Sequence, residues 1–151
     1  MEHVEFTYTA GMDREEAEAR LREAETGVLA LADGDEAYAI PLAHYYDGGD
    51  SVVFRLGVTG DSEKAAFIES TTRACYVVYG YTSPDDSWSV LVRGTVRPVT
   101  PGDERFDVAE VNRAFPELRI FDEDVSEMEV RLFELEIDSI TGRETVETKD
   151  R

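Results

Sequence analysis

The chain has 151 residues, 34 of them acidic and 15 basic, for a net charge of −19 at neutral pH. Non-specific affinity for DNA or RNA comes from neutralising phosphates with lysine and arginine, so this balance excludes a nucleic-acid-binding surface. It does not imply disorder, because 42% of the residues are hydrophobic, aromatics are frequent, and the length suits one domain (1–151) with an ordinary core.

In chain order, Met1 to Phe6 shows neither a basic leader nor an apolar targeting segment, and no long apolar stretch follows. The expectation is a soluble cytoplasmic protein, with residues 1–10 a flexible tail. Asp13 stands three residues before Glu16, and Ala17, Leu21 and Ala24 share one face, which predicts an N-capped amphipathic helix ending before Gly27. Val28 to Ala32 is a short apolar strand, and Asp33-Gly34-Asp35 a hairpin turn. The next strand, Ala37 to Tyr46, contains Pro41, which cannot donate a ladder hydrogen bond and therefore marks an edge or a bulge. Asp47-Gly48-Gly49-Asp50 turns the chain into a third strand, Ser51 to Leu56, and a glycine-containing loop leads to a helix from Ser62 to about Ser70.

A fourth strand runs from Ala74 to Tyr81, and Ser83-Pro84-Asp85-Asp86 turns it into a fifth, Trp88 to Pro98. Val90, Val92, Gly94 and Val96 alternate with Ser89, Leu91, Arg93 and Thr95, so one face is core and the other polar. Asp103 to Ala114 has a helical composition that breaks at Phe115-Pro116, and Val130 to Ile137 alternates as a sixth strand. Residues 142–151 read as a second tail. Six short strands in hairpin order with few helices make the fold class mainly β: a six-stranded antiparallel, barrel-like sheet with peripheral helices rather than a doubly wound fold.

Only two of the fifteen basic residues are lysines, and one of them, Lys64, lies in the first turn after Ser62. Helix N-termini present unpaired N–H groups and a positive dipole end, so this position suits an anion ligand; the alternative is a solvated lysine paired with Glu63 or Glu69. Dense carboxylate with arginine in place of lysine keeps a protein soluble at molar salt, where the Debye length falls to about 3 Å, and points to a salt-loving, archaeal source. Cys75 is the single cysteine, which rules out an intrachain disulfide and a thiolate cluster. His3 and His44 form no metal motif, no serine stands in a nucleophile elbow, and no glycine pattern matches a phosphate loop. His44 reads as a structural residue.

Five segments in order, Gly27–Ala32, Tyr38–Leu42, Val53–Gly57, Ser62–Ile68 and Trp88–Val96, resemble the pyridoxamine 5'-phosphate oxidase-like superfamily of FMN-binding split β-barrels, over about residues 13 to 140. The resemblance implies a six-stranded split barrel and a homodimer holding FMN between subunits. It places Ile40, Pro41 and Leu42 along the isoalloxazine, Phe54 and Arg55 toward the phosphate, Ser62 and Lys64 on the phosphate, and Ser89 with Trp88 beside the flavin. Trp88 is equally readable as an aromatic covering the barrel mouth. Glu63 replaces a cation common in the family, which leaves Arg55 or a partner-subunit arginine to help Lys64. A C-terminal substrate segment with a second tryptophan is missing, so vitamin B6 oxidation is not expected. The expected activity is an oxidoreductase acting on a small-molecule redox substrate, with a deazaflavin, a haem or a non-enzymatic flavin module as alternatives.

Overall fold

The computed structural model describes residues 6–58, 62–100, 102–115 and 129–146. His3, the glycine-containing loop before Ser62, the break expected at Pro116 and residues 147–151 lie outside them. The elements are β1 (Tyr8–Gly11), α1 (Arg14–Glu23), β2 (Thr26–Asp33), β3 (Glu36–Ala43), β4 (Ser51–Val58), α2 (Glu63–Ser70), β5 (Ala74–Ser83), β6 (Asp86–Pro98), α3 (Val108–Arg113) and β7 (Glu129–Val146). One antiparallel sheet runs in the order β1-β7-β6-β5-β2-β3, with β4 also paired to β7.

The local signals operate as their chemistry requires. Asp13 Oδ1 accepts from the Glu16 N–H at 2.8 Å, capping α1. Gly34, at φ +59°, supplies the left-handed residue of the β2–β3 hairpin. In β6, Val90 and Val92 are fully buried and Arg93 is exposed, as alternation predicts. Among the described residues β3 pairs only with β2 and in unbroken register, so Pro41 marks an edge and not a bulge.

Three expectations need correction. The sheet has seven strands and not six, because the supposed tails pair: Tyr8–Gly11 aligns with Arg143–Val146. A four-residue strand carries too little hydrophobic pattern to be seen alone. β7 is far longer than Val130–Ile137, since Gly142 and the flanking polar residues disguise its second half. The third helix covers only Val108–Arg113, capped by Asp107, whose carboxylate accepts from the N–H groups of Ala109 and Glu110.

β7 organises the barrel. Along one edge it pairs with β6, and along the other first with β4, through Glu136, and then with β1, from Arg143. The change of partner coincides with a bulge at Asp138, opposite the Arg93–Gly94 step of β6. There the backbones come so close that a Cβ on Gly94 would lie 1.8 Å from the Glu136 carbonyl oxygen. Inside the barrel, Phe54, Tyr76, Val78, Val90, Val92 and Leu135 are fully buried, each contributing about 1.5–3 kcal/mol by leaving water. Ala17 and Leu21 of α1 enter this core, as do Phe67 and Ile68 of α2. A second small cluster, Val53, Val111 and Phe115, seats α3 on the outer side of β4. Among the described residues no helix is long and apolar enough to cross a membrane.

Among the described residues one carboxylate is buried. Glu134, 1% exposed, accepts from Ser51 Oγ at 3.0 Å and from Arg105 at 2.9 Å, with Arg97 at 3.6 Å. Three donors compensate its desolvation and fasten the connection after β6 to the barrel wall. Replacing Gly94 by alanine is expected to cost about 3 kcal/mol or more, because the obstructing atoms are backbone; a denaturant midpoint equal to that of the unmodified protein would refute this account of the β7 bend.

Candidate functional site

Two strand edges face one another across a gap in the barrel. The exit of β3 and the start of β4 are joined by one bridge, in which Tyr45 and Val53 exchange backbone bonds of 2.9 Å in both directions. Alternation then fixes which backbone groups point into the gap: Ala39, Pro41 and Ala43 from β3, and Arg55 and Gly57 from β4. These groups have no strand partner among the described residues, and Pro41 removes one N–H that would otherwise be left over. The gap is therefore a slot lined by unpaired carbonyls and amides between two apolar strands.

α2 lies beside this slot. Ser62 caps it, its hydroxyl accepting from the Ala65 N–H at 3.4 Å. Tyr38 of β3 stacks on Phe67 with ring centroids 4.7 Å apart and planes within 8° of parallel, bringing the first turn of the helix next to β3. Burial, reinforced by the nearby Glu63 carboxylate, raises the Tyr38 hydroxyl above its ordinary pKa. Lys64 is half-buried in the same turn and has no carboxylate partner among the described residues. In a chain with 34 acids, a lysine without a carboxylate partner among the described residues, at a helix N-terminus, is a position that suits an anion.

The sequence-predicted residues fall into separate groups. Pro41 borders the slot, with Ser62 capping α2 and Lys64 in the first turn of that helix beside it, whereas Ile40 shares the strand parity of Leu42 and packs against the core. Leu42 (8% exposed) and Phe54 (fully buried) belong to the core, with the Phe54 ring edge-on to Tyr76 at 4.9 Å, so neither presents its side chain to a ligand. Arg55 projects away from the core and is committed to α3: it donates to the Phe115 carbonyl and to Asn112 Oδ1 at 3.5 Å, with its guanidinium 5.4 Å from the Phe115 ring centre. As placed, it clamps the end of a helix. Trp88 and Ser89 lie on β6, separated from β3 by β5 and β2. The Trp88 indole lies over Gly80, where a Cβ would meet its nitrogen at 2.3 Å, and Arg20 stacks on it at 4.8 Å.

His44 is buried and fully engaged. Its Nε2 faces the Leu21 carbonyl at 2.9 Å and so carries the proton, which leaves Nδ1 to accept from the Tyr76 hydroxyl at 2.6 Å. With both nitrogens used to tie α1 to the barrel, His44 is not a metal or haem ligand. Burial lowers its pKa, with the Leu21 carbonyl acting weakly in the other direction, and burial pushes the Tyr76 hydroxyl up. Among the described residues no cluster of three or more His, Cys, Asp or Glu side chains is arranged to hold a metal ion.

Sequence reasoning missed the outer face of the sheet. Register aligns Pro41, Val28, Val77 and Leu91 in one row across four strands, and Ala39, Ala30, Cys75 and Arg93 in the next. No carboxylate projects from these rows. Tyr79 and Tyr81 stand on the same face, each 67% exposed. The signal was available: Ala74 to Pro84 carries no charge in a chain that is 32% charged.

A family model described as pyridoxamine 5'-phosphate oxidase matches residues 13–144. No curated protein matches the sequence significantly. Among solved structures, an FAD-binding protein from Mesorhizobium loti aligns with a TM-score of 0.69 at 15% identity, over 94% of this chain and 100% of its own. An FAD-binding protein from Mycobacterium smegmatis aligns at 0.64 and 21% identity over 93% and 98%. An FAD- and haem-binding protein from the same organism aligns at 0.65 and 16% over 92% and 74%. At these identities the likeness is one of fold.

The His44 network makes stability depend on pH in one direction. The unfolded imidazole takes up a proton as pH falls through about 6.5 while the folded one resists, so stability is full above that pH and declines below it. His44→Gln keeps one donor and one acceptor without titrating. Its unfolding free energy between pH 6.5 and 5, at constant ionic strength, should fall less steeply than that of the unmodified protein; identical slopes would contradict the assignment.

Proposed function

The chain belongs to the pyridoxamine 5'-phosphate oxidase family, and from that premise we propose that it is a flavin-binding split-barrel protein that uses FMN as an oxidoreductase cofactor. The observation that carries the reading is Lys64, a half-buried cation without a carboxylate partner, in the capped first turn of a helix beside an open strand edge. A flavin needs a cation for its phosphate, apolar strand surface for its rings and hydrogen-bonding groups for its pyrimidine edge. Lys64 with the α2 N-terminus would supply the first, Pro41 and the outer surface of β3 around it the second, and the unpaired backbone of Ala39, Ala43, Arg55 and Gly57 the third. Bound flavin supplies the electron chemistry; the protein's part is to hold it, exclude water from one face and set the charge around it.

The cofactor lies between two copies of the chain in this reading. Support comes from the uncharged rows Pro41–Val28–Val77–Leu91 and Ala39–Ala30–Cys75, which interrupt an otherwise acidic coat and would be covered by a second subunit. The acidic, lysine-poor surface suits a high-salt cytoplasm. Among the described residues His44, the one histidine, is already committed, so the reading places FMN ahead of haem or a deazaflavin.

Protein purified in high salt is expected to be yellow or to become so with FMN; a colourless preparation that also takes up no added FMN defeats the reading. Lys64→Ala should weaken FMN binding by about tenfold or more, the equivalent of one charge-assisted hydrogen bond, with no change in unfolding midpoint. Equal FMN affinity in that variant would remove the phosphate assignment and leave the fold untouched.

A further inference from the structure

The first turn of α2 carries two opposite charges side by side. Lys64 is half-buried and has no carboxylate partner among the described residues, while Glu63, the residue before it, is exposed. Successive residues of a helix project about 100° apart, so a group seated on Lys64 stands out of contact with Glu63 and still within its field. That field reaches the neighbouring strand, where burial first and Glu63 second raise the Tyr38 hydroxyl above its ordinary pKa. Arg55, the one cation of β3 and β4, is held by the Phe115 carbonyl, by Asn112 Oδ1 at 3.5 Å and against the Phe115 ring. An anion arriving at the start of α2 therefore meets one ammonium and one carboxylate, whose charges cancel. Glu63 also serves the helix itself: an acid in the first turn offsets the positive end of the dipole, which is the field a bound phosphate would use.

Salt acts differently on the two charges. A phosphate monoester carries about 1.5 to 2 negative charges at pH 7. Its bond to an ammonium is made at about 2.7–2.9 Å, a contact that falls within the Debye length even at 1 M, where that length is about 3 Å. Its repulsion from Glu63, and from the coat that brings the chain to −19, acts over longer distances. A Debye length of about 8 Å at 0.15 M leaves the nearest part of that repulsion in place, and about 3 Å at 1 M removes it. Added salt thus takes away the repulsion and spares the contact. A phosphate site in which cations outnumber carboxylates behaves in the opposite way, because there salt screens a net attraction.

We propose that Glu63 is a specificity-determining residue of the cofactor site: it makes recognition of the phosphate conditional on ionic strength, so that the chain prefers FMN to riboflavin at high salt and loses that preference at low salt. The inference rests on the flavin reading above and adds to it the residue that sets when the phosphate counts. Glu63 does this through space, without touching the cofactor.

The test measures FMN and riboflavin affinities side by side in KCl between about 0.15 and 1 M, with circular dichroism showing the protein folded at each concentration used. Riboflavin has the same rings and ribityl chain without the phosphate, so the ratio of the two affinities isolates the phosphate. In the unmodified protein the ratio should rise about fivefold or more over that range. Glu63→Gln should raise it by a similar factor at the low end and flatten its dependence on salt. Glu63→Arg should reverse the slope, giving a site that salt weakens. Lys64→Ala should bring the ratio to about one throughout, because the contact itself is gone. A ratio that falls with salt in the unmodified protein, or Glu63→Gln with the unmodified slope, overturns the inference and leaves the flavin reading standing. Protein that binds neither FMN nor riboflavin at any salt concentration overturns both.

Discussion

The close approach of Gly94 to the Glu136 carbonyl is the constraint on which the barrel depends. Only a residue without a Cβ lets β6 follow β7 past the Asp138 bulge, and only that bend lets a single strand serve β4 with its first half and β1 with its second. With β4 held on the far edge of β7, it meets β3 at the Tyr45–Val53 bridge and nowhere else in the ladder. The slot beside α2 is thus a consequence of how β7 bends, and the functional reading begins from a backbone contact far from any candidate ligand.

Charge is the second organising theme, and its exceptions carry the information. Among the described residues the ion-paired arginines lie at the surface, where such pairs contribute little, as with Arg14–Glu18 and Arg73–Asp138. Glu134 differs because its burial makes Arg105 and Ser51 obligatory, and the result fixes the connection that leads to α3. Asp103, drawn into the same network, has its pKa lowered by the hydrogen bonds from Arg105. Against this background Lys64 and Arg143 are conspicuous, because neither has a carboxylate partner among the described residues.

Much of the fold was legible locally. The Asp13 cap, the Gly34 hairpin, the Pro41 edge and the alternation of Val90, Val92 and Val96 are short-range chemistry, and each appears where the residues place it. The β1–β7 pairing was not legible, because Tyr8–Gly11 has no pattern of its own and acquires a structure only from a strand more than 130 residues away. The candidate site was legible in part. Ser62 and Lys64 stand at the start of α2 near Pro41 of the β3 edge, while Ile40 packs against the core. Phe54 and Leu42 turned inward, since strand parity and not residue type decides which neighbours face the core. Arg55, expected toward the phosphate, is engaged by the end of α3 instead.

The sequence by itself determined the class of the fold, the helix-capped position of Lys64 and a strongly acidic composition, because periodicity, capping and charge are properties of neighbouring residues. The order of strands in the sheet, with β2 beside β5 and β4 beside β7, departs from the expected hairpin order and was a tertiary outcome. Tertiary structure alone decided that β3 and β4 stay apart, that His44 is spent on Tyr76 and Leu21, and that Trp88 and Ser89 lie on a different wall from Lys64. Those facts depend on strand register and on a single backbone contact at Gly94, and register is a relation between distant segments that no local pattern records.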